Sequence, residues 1–277
     1  MNYYFEFGGG LGDIFCRMFA AGEYRALEQL LPEDRARITL YTVNPFTDEL
    51  FKWHPKHQQI TATRLPHWLP HEDEEKRRQY GLPPSSEITY LPATSEVVKF
   101  YPSPSDLDPI SRLEDRPYLV LAASAGGEWR VFPDPVVTVI CNEAARLQMN
   151  LVCIGRNYVE QRGGPRHEPV IPKNEHTVDL VDRLSVPGTA TLLEGATGVI
   201  CSHSSICLLA WLLNKPTLLL YPEEVYRRVV VERRDGYGFG LDLPTTRHAL
   251  FRSCSSELIC DFFGFASQHA RGRQLLL

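Results

Sequence analysis

Apolar positions along this chain gather into short runs separated by segments of helical period, the pattern of buried strands alternating with helices. Residues 3–7 read as a first strand. Asp13 to about Leu31 reads as a helix whose apolar positions include Ile14, Met18, Ala21 and Leu30, with Pro32 just past its end. Ile38–Val43 reads as a second strand, and Asn44–Trp53 holds a short helix after Pro45. From His54 to Pro109 the pattern weakens. Prolines are frequent there, the charged run from His71 to Arg78 reads as a solvated helix face, and a strand is expected near Ile88–Leu91. The string YPSPSDLDPISRLEDRP, from Tyr101 to Pro117, has the composition of a linker, and a domain boundary is expected in it.

Beyond that boundary the contrast sharpens. Tyr118–Ala123 is a buried strand, Pro133–Gln148 a helix, and Asn150–Ile154 a strand ending at Gly155. Thr177–Leu180 is extended, Thr189–Ala196 helical, Gly198–Ser202 a strand, Ser204–Leu213 an apolar helix and Pro216–Tyr221 a strand. This alternation predicts a doubly wound α/β domain with a parallel sheet. Ser255 to about Arg271 has helical periodicity through Leu258, Phe262 and Phe265. Three segments are therefore expected: a Rossmann-like domain over 1–112, a second over 117–254, and a C-terminal helix within 255–277 that can pack across both.

A length of 277 residues accommodates two cores of ordinary size, and a composition 43% hydrophobic and 23% charged is that of a globular protein. The formal net charge of −5 gives no global attraction to nucleic acid or to anionic membrane. Seven cysteines, an odd number without a CxxC pair or zinc spacing, fit a reduced, cytoplasmic setting. No segment has the form of an export signal or of a membrane span.

Three loops carry candidate chemistry. GGGLGD, Gly8–Asp13, joins the first strand to the first helix. Gly9, Gly10 and Gly12 allow close backbone approach, and the helix start adds about half a positive charge. Either a phosphate cradle or a tight turn with Asp13 as a helix-stabilising acid satisfies the pattern. A dinucleotide fingerprint would need glycine where Asp13 stands, which disfavours a nicotinamide cofactor. The second loop, AASAGGEWRVFP, follows a strand and precedes a helix. Ser124, Gly126 and Gly127 leave room for a ligand, and Arg130 has the planar fork that clamps phosphate, or is an ordinary surface arginine. In the third, a strand ends in Ser202-His203-Ser204-Ser205 before an apolar helix, offering hydroxyls and free N–H groups, or simply a helix cap. Gly155 and Arg156 end the intervening strand. A Ser/His hydrolase is disfavoured because the chain has no G-x-S-x-G elbow.

Taken in order, these stretches resemble the heptosyltransferase-like glycosyltransferases, the family of the ADP-heptose:lipopolysaccharide heptosyltransferases. GGGLGD resembles the family's G-D-x-(L/I/V) start, RVFP at 130–133 its K-x-W-P element, and residues 178–222 its donor-side signature. The resemblance implies GT-B architecture, two Rossmann-like domains facing a central cleft. It implies an inverting transfer, independent of metal and of any cofactor, from a nucleotide sugar to an acceptor hydroxyl such as that of a surface glycan. Asp13 then matches the catalytic base and Arg130 the donor-phosphate lysine. The D-(S/T)-G motif falls on His203-Ser204-Ser205, and Leu208 stands where a histidine is usual. Donor binding is thereby expected at Ser124, Gly126, Gly127, Arg130, Gly155, Arg156, His203, Ser204 and Ser205, with Gly9, Gly10 and Gly12 facing the acceptor or sugar. Two alternatives stay open. One is transfer to hydroxymethylated bases in phage-type DNA, with phosphates held by Arg227, Arg228, Arg233, Arg234, Arg271 and Arg273. The other is a non-catalytic nucleotide-sugar-binding protein.

Overall fold

The structure, a computed structural model, describes residues 2–7, 37–42, 49–50, 52–55, 58, 60–64, 73–87, 100–113, 117–125, 130–155, 158–159, 164–165, 171–232 and 242–274. The chain divides into two compact units, residues 1–103 with 185–187 and residues 104–184 with 188–277. The helix expected over Asp13–Leu31 and the strand expected at Ile88–Leu91 lie outside the described residues.

In the first unit, β1 (Asn2–Phe7), β2 (Arg37–Thr42) and β3 (Ile60–Arg64) form a parallel sheet in that order, with Asn2 opposite Arg37 and Ile38 opposite Ile60. Parallel neighbours need long crossovers, and both connections are long. Helix α1 (Glu74–Gln79) begins at Asp73, whose carboxylate accepts from the Lys76 N–H at 3.0 Å. Acids fill its first turn and arginines its last, matching the helix dipole. The sequence reads its charged run as a solvated face, and one residue of the run departs from that. Arg77 is fully buried, because its Nε and Nη2 both donate to the Pro83 carbonyl, at 3.0 and 2.6 Å. Gly81, at φ 67°, turns the chain so that this carbonyl returns to the helix.

Helix α2 (Pro104–Ser111) replaces the expected linker. Pro104 stands at its first position, where a missing N–H costs nothing, and Asp106 lies in its first turn. Asp106, Ile110 and the following Leu113 are buried, so a segment with turn composition is anchored by its few inward positions.

The second unit is built on β4 (Tyr118–Ala122), β5 (Asn150–Cys153), β8 (Thr177–Asp179), β9 (Gly198–Cys201), β10 (Thr217–Tyr221) and β11 (Thr246–Leu250). Between β5 and β8, β6 (Tyr158–Val159) and β7 (Gly164–Pro165) make a separate antiparallel pair. The six strands are all parallel, in the order β11-β10-β9-β4-β5-β8. Every residue of β4, β5, β9 and β10 is buried, which explains their continuous apolar runs; the edge strands β8 and β11 are only partly covered.

This unit also contains helices α3 (Asp134–Arg146), α4 (Val186–Gly195), α5 (Ser205–Leu212), the short α6 (Glu223–Tyr226) and α7 (Ser256–Gln274). Gln148 at φ 53° and Asn214 at φ 51° end α3 and α5 in left-handed geometry. Lys215 Nζ donates to the Glu194 and Ala196 carbonyls, at 3.0 Å for the latter, where α4 ends. Core residues Leu119, Leu121, Val137, Ile140 and Ile200 pack with Ile259, Phe262 and Ala266 of α7. The tail helix is thus part of this core, contributing about 1.5–3 kcal/mol for each fully buried large apolar side chain.

Candidate functional site

Numbered within their own sheet, the six strands run 3-2-1-4-5-6, so the chain reverses direction across the sheet between β4 and β9. In a doubly wound sheet that reversal opens a crevice beyond the carboxyl ends of the two strands. Ala122 lies opposite Cys201 in the ladder, and the next residues, Ala123 to Ala125 and Ser202 to Ser204, leave the sheet at the same level. The sequence-predicted Ser124 and His203-Ser204-Ser205 therefore flank one switch point. Gly155 stands one strand away, beyond β5.

Each loop is tied down by backbone bonds. The Phe132 N–H donates to the Ala123 carbonyl at 2.8 Å, closing the loop after β4 and setting half-buried Arg130 at its return to α3. The Ile154 N–H donates to Leu121 at 2.9 Å, and the Gly155 carbonyl accepts from Asp182 at 3.0 Å, which links the ends of β5 and β8.

After β9, Ser202, His203 and Ser204 are all buried. Ser204 is extended, φ −151° and ψ 179°, and is the N-cap of α5, where Cys207 at the third helical position reaches back to it in a capping box. The reciprocal contact comes from the Cys207 thiol. It accepts from the Ser204 N–H at 3.4 Å and donates to the Ser204 carbonyl at 2.9 Å. Among the described residues the buried Ser202 Oγ has no hydrogen-bond partner, so no Ser202–His203 pair is formed that could act as a nucleophile. Leu208 is buried within α5.

The His203 ring has two aromatic neighbours, Trp211 of α5 at 6.2 Å and Tyr221 of β10 at 6.3 Å between centroids. Tyr221 is itself packed by Tyr226 and His248, each at 6.0 Å between centroids, and among the described residues its hydroxyl has no partner. Burial pushes the Tyr221 phenol and the Cys201 thiol above their ordinary pKa values, so both are neutral at working pH. Among the described residues, no group of His, Cys, Asp or Glu is arranged to hold a metal ion.

Sequence reasoning missed Tyr221 and Trp211. The legible signal was the phenol closing TLLLY, an amphipathic ring at the ligand edge of an otherwise apolar strand. Gly9, Gly10, Gly12, Asp13, Gly126, Gly127 and Arg156 lie outside the described residues, as do Arg233 and Arg234. Arg227 is exposed, with its Nε 3.7 Å from Glu232 Oε1.

The strand order and crossovers define a doubly wound α/β unit of Rossmann type. No protein-family model matches the sequence, and no curated protein matches it. Solved structures are similar to it in fold. ADP-heptose LPS heptosyltransferase II of E. coli is 10% identical, with a TM-score of 0.61 over 97% of this chain and 99% of that one. A glycosyl transferase family 9 protein from Veillonella parvula is 8% identical, with a TM-score of 0.60 over 97% of each chain. E. coli heptosyltransferase WaaC with ADP-2-deoxy-2-fluoro heptose is 10% identical, with a TM-score of 0.50 over 95% of this chain and 99% of that one. At these identities the likeness is one of fold, and at that level it bears out the resemblance read from the three loops. No helix among the described residues is long and apolar enough to cross a membrane.

Proposed function

We propose that this chain is a GT-B glycosyltransferase that moves a sugar from a nucleotide-diphosphate donor to an acceptor hydroxyl. The observation that carries the reading is the fold likeness to heptosyltransferase II, which extends over nearly the full length of both chains. The solved WaaC structure contains an ADP-sugar analogue, which favours a nucleotide sugar as donor. In this reading the second unit takes the donor, with diphosphate held at Ser124, Arg130, Gly155 and the start of α5, and the first unit takes the acceptor.

The chemistry is a single inverting displacement without metal or cofactor. Asp13 removes the proton from the acceptor hydroxyl, and that oxygen attacks the anomeric carbon. The bond from that carbon to the diphosphate breaks, and its electron pair leaves with the phosphate. A desolvated carboxylate has its pKa raised toward working pH and serves as the base. Charge gathering on the departing diphosphate is met by the Arg130 guanidinium and by the N–H groups at the α5 N-terminus, which replace a cation. A surface glycan is the acceptor class favoured by the resemblance.

A thermal-shift screen across nucleoside diphosphates and their sugars tests the donor, because a ligand at one hundred times its Kd stabilises by about 2.7 kcal/mol. Transfer or donor hydrolysis is then compared in the wild type and in Asp13→Ala. Loss of turnover by more than about a hundredfold is expected of a general base; equal turnover removes Asp13 from the chemistry. Arg130→Ala is expected to weaken nucleotide binding, and unchanged affinity removes the phosphate clamp.

A further inference from the structure

Ser202 is the first residue past β9, at the switch point itself, and the transfer chemistry above gives it no part. It is 2% exposed, and among the described residues its Oγ has no hydrogen-bond partner. Serine is ordinarily an exposed residue, and a buried hydroxyl left unsatisfied costs stability that alanine in its place would not. The unliganded chain therefore bears a cost at this position.

Strand alternation fixes the side of the sheet on which this residue lies. Ile200 of β9 and Leu218 and Leu220 of β10 face the core shared by α3 and α7, and Ser202 follows Ile200 by two residues. Ala123, where the chain leaves β4, and Phe132, where it returns toward α3, belong to the same core. Arg130 is two residues before Phe132. Ser202 and Arg130 are thus placed on the α3 side of the sheet at its carboxyl edge, while His203 has Trp211 of α5 as its neighbour on the other. At the level of Ser202 the flanking strands contribute Ala123 and Leu220, both apolar, so an acceptor for its hydroxyl comes from outside the ladder. A phosphate oxygen is such an acceptor, and a hydrogen bond to a charged group is roughly twice as strong as a neutral one.

We propose that Ser202 is a further donor-binding residue, whose hydroxyl donates to the phosphate that Arg130 takes. The inference rests on the nucleotide-sugar reading and adds a neutral hydrogen-bond donor to its diphosphate site. Rotation about χ1 carries a serine hydroxyl between three staggered positions with the backbone fixed, so a group arriving at the sheet edge is met without rearranging β9. The same oxygen is unsatisfied without ligand and bonded with it. Its removal therefore acts with opposite signs on the two states, stabilising the free protein and weakening the complex.

The test compares the full-length wild type with Ser202→Ala, by thermal unfolding without ligand and by isothermal titration with ADP, GDP, UDP and CDP. The free variant is expected to melt about 2 °C or more above the wild type. Its Kd for whichever diphosphate binds is expected to be about tenfold weaker. Ser202→Thr, which keeps a hydroxyl, is expected to recover most of that affinity. A serine with a purely structural role would move Tm and leave Kd alone. A Kd of Ser202→Ala within about twofold of the wild type therefore overturns this inference and leaves the nucleotide-sugar reading standing. A free variant that melts below the wild type, or does not fold, shows the hydroxyl to be satisfied without ligand and overturns it as well. If none of the four diphosphates binds the wild type, the nucleotide-sugar reading falls and this inference with it.

Discussion

Replacing Tyr221 by phenylalanine should make the unliganded protein more stable. The ring is fully buried at the end of β10, and its hydroxyl has no hydrogen-bond partner among the described residues. Burying such a group unsatisfied costs about 1–3 kcal/mol. Phenylalanine keeps the ring contacts with His203, Tyr226 and His248 and removes only the oxygen. The void left by one atom, on the order of 15 Å³, costs about 0.4 kcal/mol at the measured dependence on cavity volume. The net gain is therefore about 1–2 kcal/mol, which for a unit of this size raises Tm by about 2–8 °C. Thermal unfolding followed by circular dichroism, with urea titration as a second measure, reads the effect directly. The phenol is held neutral by burial, so the comparison is free of ionisation at ordinary pH. A fall in Tm of more than about 2 °C would refute the reasoning, because it would show that the hydroxyl is hydrogen-bonded in solution.

Gly198→Ala is expected to destabilise the protein by about 1–3 kcal/mol through overpacking. A Cβ there would lie 3.0 Å from that of Ala266, 3.2 Å from Leu119 Cδ2 and 3.3 Å from Phe262 Cζ. Adding Ala266→Gly should recover part of the loss in a double-mutant cycle, and strict additivity would contradict the contact. For Glu143, hydrogen bonds from Arg146 and Ser256 hold the carboxyl below its ordinary pKa. Its contribution is present above the unfolded value of about 4.3 and is lost as pH falls through the folded value. The Tm of the wild type should exceed that of Glu143→Gln at pH 7 and converge on it near pH 3; a gap that does not change over that range contradicts the pairing.

The second unit was legible because its central strands are buried on both faces. Such strands need no alternation, and Tyr118–Ala122 and Thr217–Tyr221 show as uninterrupted apolar runs. Periodicity gave α7 for the same reason, through Leu258, Phe262 and Phe265. Two errors share another cause, which is that composition reports average exposure and not the single inward residue. The segment containing α2 has the prolines, serines and aspartates of a linker, yet a buried Asp106 and Ile110 hold it in a helix. The run around α1 is charged throughout, yet Arg77 is inside because the Pro83 carbonyl, six residues on, accepts from two of its donors. At the site, the serines and His203 stood out as polar residues interrupting apolar sequence. Tyr221 and Trp211 did not, since a large ring in an apolar run reads as core until the fold brings it beside an imidazole.

The packing of α7 against β4 and β9 also fixes an order of events during synthesis. Leu119 leaves the ribosome early, but the Phe262 and Ala266 side chains that cover this face of the sheet are encoded roughly 150 residues later. At translation rates of about 5–20 residues per second, β4 waits on the order of ten seconds for its cover, while β5, β8, β9, β10 and β11 are themselves being made. Slowing translation between the codons for β4 and α7 lengthens that wait.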